Sequence, residues 1–165
     1  MENEVQIGED GTVELEIDTS VAKRFHPGMD HRYRITAEVV DASRRTIVGT
    51  GAVMAARRPF RVVTWVDRGY YRTGQTIRAS VQARTLDGRS VSGKGRFVLY
   101  RISYDKQGRP REEKVRSWDA ATDDQGRTTL MLKATDAGQY RLSCEIQDDD
   151  DHRIEGAQVF VVRGP

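Results

Sequence analysis

The 165-residue sequence contains one cysteine, Cys144, so it cannot form a disulfide within the chain. No apolar stretch approaches the ~20 residues that a membrane-spanning helix needs. The first ten residues, MENEVQIGED, have neither a basic n-region nor an apolar h-region, so no signal peptide is predicted there. Lysine is scarce too, with 5 lysines against 22 arginines.

The charged residues are numerous but mixed in sign. They make up 32% of the chain, the net charge is +2, and basic and acidic residues interleave throughout. A nucleic-acid-binding surface needs clustered positive charge, so we expect no nucleic-acid partner. The hydrophobic fraction of 37% is ordinary for a soluble domain with one good core.

The end of the chain repeats its beginning. Residues His31–Val53 align without a gap on Gly138–Phe160 at a constant offset of 107 residues. Further upstream, Glu9–Ile17 resembles Asp124–Leu132, with a longer spacer before the next strand in the first copy. A period of this length predicts tandem domains and not a solenoid. The identical pairs are Tyr33/Tyr140, Arg34/Arg141, Glu38/Glu145, Asp41/Asp148, Ile47/Ile154 and Gly49/Gly156.

Apolar and polar residues alternate in both copies, which is typical of half-buried β-strands. Residues 33–39 and 140–146 alternate in the same phase, so both copies should turn the same side chains inward. Only Ser20–Phe25 could form a helical turn. Further strands, separated by turn sequences such as Asp-Gly and Gln-Gly, are predicted at Val13–Asp18, Thr46–Ala55, Phe60–Val66, Thr76–Arg84, Gly95–Tyr104, Glu113–Trp118, Thr128–Lys133 and Ile154–Val162.

These elements predict an all-β protein. From Phe60 to Arg163 they form seven strands, which indicates a complete immunoglobulin- or fibronectin-III-like β-sandwich. Residues 1–58 supply only the last three strands of a second copy, so we expect the chain to be a piece of a larger modular protein. Ala56–Pro59 is predicted as a short, stiff joint. Asp136–Tyr140 has the D-x-G-x-Y form of a tyrosine corner, in which the hydroxyl bonds back to the backbone.

Two segments invite a chemical interpretation. Cys144–Gln147 has the Cys-x-x-Gln spacing of an internal thioester, but residues i and i+3 of an extended strand point to opposite faces, ~10 Å apart. We therefore predict that Cys144 is a buried core thiol. Asp148–Asp151 could offer oxygen ligands to calcium. Because the first copy has Asp41-Ala42-Ser43-Arg44 at this position, a solvated acidic turn is favoured, and calcium stays open as the alternative.

The sequence contains no recognisable catalytic arrangement. His26, His31 and His152 fall in or beside predicted loops, with no partner at metal-ligand spacing. No nucleophile–base pair and no glycine-rich phosphate loop is apparent. Trp65 and Trp118 lie within strand patterns and are predicted to pack in the core or on its wall. We expect no enzymatic activity, no catalytic or metal site and no cofactor.

Four short motifs follow one another in the second copy. Gly69–Ile77 (GYYRTGQTI) resembles the Y-R-P-G-E/D-x-V signature of macroglobulin-like domains in the alpha-2-macroglobulin family, with Thr73 in place of the proline. Leu86–Val91 resembles that family's D-G-K-P-V, Thr122–Arg127 its T-D-x-x-G, and Asp136–Tyr140 its final a-G-x-Y. The repeat extends this resemblance to the first copy, and the arginine-rich composition is similar to that of bacterial members.

The resemblance implies that residues 1–58 are the C-terminal part of a truncated macroglobulin-like domain and that residues 59–165 are a complete one. It implies a non-catalytic structural and interaction module, the scaffold of a broad-spectrum, protease-trapping endopeptidase inhibitor in the periplasm or at the cell surface. The partners would be neighbouring domains of the same protein and target proteases. Neither a bait region nor a Cys-Gly-Glu-Gln thioester occurs in these residues.

Two other functional interpretations stand beside this one. The first is an immunoglobulin-like adhesion or binding module of a bacterial cell-surface protein. The second, a β-sandwich hydrolase, needs an acidic pair in a cleft, and the sequence suggests none. Whichever function applies, the three predicted strands of residues 1–58 would expose an apolar face and an open edge, because the first copy lacks its other strands. Such surfaces recruit partners. A homodimer through residues 1–58 of the isolated fragment is therefore a further expectation.

Overall fold

A computed structural model describes residues 4–41 and 43–164, which divide into two units, Met1–Arg57 and Arg58–Pro165. The division lies one residue before the boundary expected from the sequence. No helix among the described residues is long and apolar enough to cross a membrane. The elements are α1 (Ser20–Phe25), β1 (His31–Val40), β2 (Thr46–Ala55), β3 (Arg61–Val66), β4 (Tyr70–Arg72), β5 (Thr76–Arg84), β6 (Lys94–Tyr104), β7 (Pro110–Ala121), β8 (Arg127–Lys133), β9 (Gly138–Gln147) and β10 (Arg153–Arg163).

The second unit contains eight strands within residues 58–164, so the expected count of seven is corrected. Seven of the eight match predicted strands, with ends that differ by no more than three residues. The additional strand, β4, has only three residues, which is too short to show an alternating pattern. It forms because it pairs in parallel with the end of β10, so its existence depends on a partner 91 residues away: Val161 lies opposite Tyr70.

The strands of the second unit form two sheets. One has five strands in the order β4-β10-β9-β6-β7, and the other has three in the order β3-β5-β8. Their inward residues meet in one hydrophobic core, so the unit is a β-sandwich and the all-β prediction is confirmed. The alternation predicted for residues 140–146 holds as well, because each of the four inward residues of β9 is buried. In residues 33–39 no residue is buried, and Ala37 and Val39 are exposed. The core includes Phe60, Tyr71, Ile77, Val81, Phe97, Tyr140, Leu142, Cys144, Ile146 and Phe160.

The first unit contains α1 and the antiparallel hairpin of β1 and β2. The helical turn at Ser20–Phe25 and the strand at Thr46–Ala55 are confirmed to the residue. The strand predicted at Val13–Asp18 is wrong, because these residues form no strand. In the second unit the corresponding strand, β8, is held by β5 alone. No counterpart of β5 is found among residues 4–41 and 43–57, and a strand without a hydrogen-bonding partner does not persist.

One type of turn recurs in both units. The N–H of its first residue donates to the carbonyl of the fifth, the N–H of the fourth donates back to the first, and the fourth residue has positive φ. This hydrogen-bond pattern is the one found in three-residue hairpin loops with a left-handed bulge residue. Glycine usually occupies the left-handed position because it has no Cβ to clash. The turns of this type are Gly8–Thr12, Asp41–Arg45, Thr85–Arg89, Asp105–Arg109, Asp123–Arg127 and Asp148–His152.

Candidate functional site

The hairpins β1–β2 and β9–β10 have the same backbone pairing. Tyr33 lies opposite Val53 in the first, and Tyr140 lies opposite Phe160 in the second, 107 residues later on each strand. All ten pairs of the first hairpin recur at this offset. The two turns coincide as well, because Arg44 and Asp151 at corresponding positions have φ of 63° and 64°. The duplication seen in the sequence is therefore also a duplication of structure.

The surroundings of the two hairpins differ. Strand β9 lies between β10 and β6, and the inner side chains of the β9–β10 hairpin are buried in the sandwich core. Within residues 4–41 and 43–57, β1 pairs with β2 alone and no residue is fully buried. We call β1–β2 the open hairpin and β9–β10 the covered hairpin. The open hairpin leaves Val39, Val40, Ile47, Val48, Val53 and Met54 exposed, and it is the candidate interaction surface of this chain.

The segment Gly69–Ile77 contains a tyrosine with a structural role. The ring of Tyr71 is fully buried, and its hydroxyl donates to Asp67 Oδ1 at 2.7 Å and accepts the Arg68 N–H at 2.9 Å. Burial, together with the hydrogen bond to Asp67, raises the pKa of Tyr71 to about 12. The same hydrogen bond lowers the pKa of Asp67, which also accepts the Arg78 N–H. The carboxylate thus fixes the chain on both sides of the motif.

The predicted tyrosine corner at Asp136–Tyr140 is confirmed. The Tyr140 hydroxyl donates to the backbone carbonyl of Asp136 at 3.0 Å. The rings of Tyr140 and Tyr71 both pack on Phe160, with centroid distances of 5.8 Å, one stacked and the other edge-on. Two of the four motifs therefore meet in one aromatic cluster, which packs β4, β10 and β9 of the five-stranded sheet together on the core side.

A charged network crosses the outer face of the five-stranded sheet. Arg141 on β9 donates two hydrogen bonds to Glu112 on β7, both 2.7 Å, and one of 2.6 Å to Glu155 on β10. Its guanidinium lies 4.6 Å from the ring centre of Tyr100. The Ser143 hydroxyl donates to the same oxygen of Glu155.

The electrostatics of this network do not suit acid–base catalysis. The hydrogen bonds from Arg141 lower the pKa of Glu112, and those from Ser143 and Arg141 lower the pKa of Glu155. The two carboxylates raise the pKa of Arg141 in return. A general acid working near neutral pH needs a raised carboxyl pKa, which is the opposite shift. These residues are suited to fix β10, β9 and β7 in register, with the bonds to Glu112 passing across β6.

The thioester-like segment behaves as the sequence predicted. Cys144 is a fully buried core thiol, and desolvation raises its pKa to about 12. The thiolate is the reactive form of cysteine, so this side chain is poorly nucleophilic at neutral pH. The amide of Gln147 instead donates to Asp151 in the adjacent turn.

The acidic turn Asp148–His152 brings three potential metal ligands together. One ligand atom each from Asp148, Asp150 and His152 lies within 4.8 Å of the others. The Asp148 carboxylate, however, already accepts the N–H groups of Asp150 and His152 and lies 3.1 Å from His152 Nδ1. Asp41 accepts the same two backbone bonds in the open hairpin, where the turn is not acidic. The geometry accounts for Asp148 as the residue that forms the turn.

The remaining residues singled out from the sequence lie apart from one another. His26 follows α1 and His31 begins β1, with ring centroids 6.4 Å apart. Trp118 packs against the core, and Arg116 stacks on it at 5.2 Å from the ring centre. Trp65 lies on β3 with 42% of its surface exposed. These positions assemble no common site.

Sequence reasoning missed the partners of the charged network and the significance of one aligned pair of glycines. Glu112, Arg141 and Glu155 are scattered over 44 positions of the chain, and only the order β10-β9-β6-β7 brings them onto one face. The glycine signal was available, because Gly49 and Gly156 coincide in the repeat. Only the structure shows that the two glycines have different neighbours.

Comparison with known proteins gave structural similarity without a family. No family model and no curated protein matches the chain.

Among solved structures, the sporulation control protein Spo0M of Bacillus subtilis matches with a TM-score of 0.43 and 7% identity over 64% of this chain and 49% of Spo0M. An uncharacterized Bacillus anthracis protein matches with a TM-score of 0.42 and 11% identity, over 61% of this chain and 80% of that one. A cohesin module from a Clostridium perfringens family 33 glycoside hydrolase matches with a TM-score of 0.40 and 9% identity, over 66% of this chain and 99% of the module. The chain spans about half the length of Spo0M.

Proposed function

We propose that this chain is a non-catalytic structural and interaction module, the scaffold of a bacterial alpha-2-macroglobulin-like inhibitor that traps proteases. The observation that carries the proposal is the tandem pair of hairpins with one register, because a string of related sandwiches is what such a scaffold requires. The motif residues also support it, since Tyr71 and Tyr140 serve the core and not a reaction. Under this proposal the second unit is a macroglobulin-like variant of the immunoglobulin-like sandwich.

The experiment uses the cellular protein that carries this sequence. An antibody raised against residues 59–165 would isolate it from periplasmic and envelope fractions, and intact mass would give its size. The isolated protein is then incubated with proteases of several classes. We expect loss of cleavage of a large protein substrate while cleavage of a small peptide substrate continues, because a trap excludes substrates by size.

The 165-residue chain alone is the matched control. It should inhibit neither reaction, since it contains no bait region and no thioester motif. A cellular protein that blocks neither substrate contradicts the proposal, and so does one that blocks both equally, as an active-site inhibitor would.

A second candidate, an adhesion or binding module, is favoured by one surface. An apolar groove opens between the edges of β7 and β8, lined in part by Leu99, Val115, Trp118, Met131 and Leu132. Binding of the 165-residue chain to arrayed glycans and extracellular proteins tests this function, with Met131→Glu as the groove variant. Binding that this variant abolishes would favour adhesion over the inhibitor scaffold.

A further inference from the structure

The covered hairpin shows what is missing around the open one. In the second unit, strand β6 pairs with the edge of β9 that faces away from β10, and strand β3 of the other sheet passes close to β10. Within residues 4–41 and 43–57, neither β1 nor β2 has such a neighbour. Because the two hairpins share their register, each side chain of the open hairpin can be compared with one whose partner is known.

Gly49 is the first observation that points to a partner. A Cβ on the corresponding Gly156 would lie 2.1 Å from the carbonyl oxygen of Val62 on β3, and Thr64 Oγ1 donates to the Gly156 carbonyl at 3.1 Å. Gly156 is therefore required by the approach of a facing strand. Gly49 has nothing within 4 Å of the same position and lies in an extended strand that any residue could adopt. Glycine weakens a strand interior and often marks close approach of another backbone, so Gly49 indicates a facing strand here too.

The charge pattern of β1 is the second observation. In the covered hairpin, Glu145 lies opposite Arg96 of β6, and the ring of Tyr100 lies against Arg141. The corresponding residues of β1 are identical: Glu38 for Glu145 and Arg34 for Arg141. An antiparallel strand with the chemistry of β6 would thus find complementary charge and a cation–π partner along β1.

We propose that the open hairpin binds the strands of another sandwich of the same type that correspond to β3–β6, which we call its front half. That partner brings an antiparallel edge strand to β1, with a cation opposite Glu38 and an aromatic ring against Arg34. It also brings a facing strand whose backbone approaches Gly49. This binding role holds whether the complete protein is an inhibitor or an adhesin.

A second copy of this chain explains less. Two β1 strands paired antiparallel about Thr36 would place Arg34 opposite Glu38, so the edge alone could be satisfied. The face that carries Gly49 would stay open in such a dimer. Gly49 therefore distinguishes the two partners.

The test adds a front half in trans. The probe is the polypeptide of residues 58–104, which carries β3 to β6, and it is mixed with the 165-residue chain. Hydrogen exchange followed by mass spectrometry reports on β1 and β2. We expect at least tenfold slower exchange in residues 31–40 when the probe is present, because unpaired edge amides become hydrogen-bonded, and no change in β9.

Three variants make the result specific. Glu38→Arg should weaken the protection roughly threefold to tenfold, because it replaces an attractive cross-strand pair with a repulsive one. Arg96→Glu in the probe should do the same, and the two together should restore the protection. Gly49→Val should leave the free hairpin intact, because the added side chain meets open space, but should abolish protection by the probe.

Several outcomes would overturn the inference. The first is unchanged exchange in β1 with both this probe and the synthetic β6 peptide of residues 93–104, which tests the edge without requiring the front half to fold. Protection that rises with chain concentration and tolerates Gly49→Val would identify a second copy as the partner. If the probe exchanged with the same strands of the second unit, amide exchange in β9 would change. That outcome would also contradict the proposal.

Discussion

The open hairpin and the covered hairpin have the same backbone pairing but different surroundings. Their registers agree over ten residue pairs, yet Val39 is 39% exposed where Ile146 is 0%, and Val53 is 52% exposed where Phe160 is 2%. The local pattern of apolar residues therefore specifies how the two strands of a hairpin pair with each other. Whether its inner face is buried depends on strands from elsewhere in the fold.

The difference is large in energy. Burying one large apolar side chain is worth roughly 1.5–3 kcal/mol, and the covered hairpin buries six inward residues in the core. The open hairpin gains little of this, so its pairing rests on its ladder and on a well-formed turn. A two-stranded hairpin is marginal alone, which agrees with a surface that binds a partner.

The largest expected contrast comes from truncating corresponding inner residues. Phe160→Ala should destabilise the second unit by about 3–5 kcal/mol, because it removes a ring packed between two tyrosines. Val53→Ala should change the opening free energy of the open hairpin by no more than about 0.5 kcal/mol. Urea denaturation followed by tryptophan fluorescence measures the first, since Trp65 and Trp118 both lie in the second unit. Amide exchange in β1 and β2 measures the second, and a cost above about 2 kcal/mol there would mean that Val53 is already covered in solution.

The glycine pair should give the next largest contrast. Gly156→Ala places a methyl group against the Val62 carbonyl, and such overpacking typically costs about 1–3 kcal/mol. Gly49→Ala should cost nothing in the free chain and could gain up to about 1 kcal/mol, because alanine loses less backbone entropy on folding. Tryptophan-monitored denaturation and hairpin amide exchange again provide the two measurements. Equal costs at the two positions would show that Gly49 already has a neighbour within the chain.

Most of the second unit was predictable because its signals are local. Strand β5 was found to the residue, since Ile77, Ala79 and Val81 alternate with polar residues and sharp turns bound the segment. The tyrosine corner was predictable for the same reason, as its hydrogen bond spans four residues. Cys144 was correctly assigned to the core because alternation places it on the same face as Leu142.

The failures concern partners distant in the chain. Val13–Asp18 has a strand-like sequence, but a strand needs a neighbour, and the described part of the first unit has none for it. Strand β4 has no pattern of its own and exists through β10. The network around Arg141 needed the strand order, which sequence alternation does not contain.

The two corresponding tyrosines should differ by less than the glycines. Tyr140→Phe removes the hydrogen bond to Asp136 and should cost about 0.5–1.5 kcal/mol. The Tyr33 hydroxyl is buried without a hydrogen-bond partner, so Tyr33→Phe should be neutral or slightly stabilising. Denaturation of the second unit and amide exchange in β1 test the pair. A clear loss of protection with Tyr33→Phe would reveal a partner for that hydroxyl.

The smallest contrast is expected where the two hairpins are most alike, in their turns. Hydrogen bonds from Arg45 and Ser43 lower the pKa of Asp41. Burial opposes ionisation of Asp148, but the hydrogen bonds from His152 outweigh it and lower its pKa as well. Because both folded pKa values lie below the unfolded value of about 3.9, each carboxylate stabilises its turn fully above that pH. The contribution is then lost as the pH falls through the folded pKa.

Carboxyl NMR titration of the 165-residue chain measures both values, with Asp41→Asn and Asp148→Asn to assign the resonances. Both groups should titrate below ordinary aspartate, because each turn is held by bonds within five residues and does not depend on the sandwich. An ordinary pKa at Asp41 with a lowered one at Asp148 would mean that the turn of the open hairpin forms only when a partner is bound. The open hairpin would then fold on binding, and its edge would not be preformed.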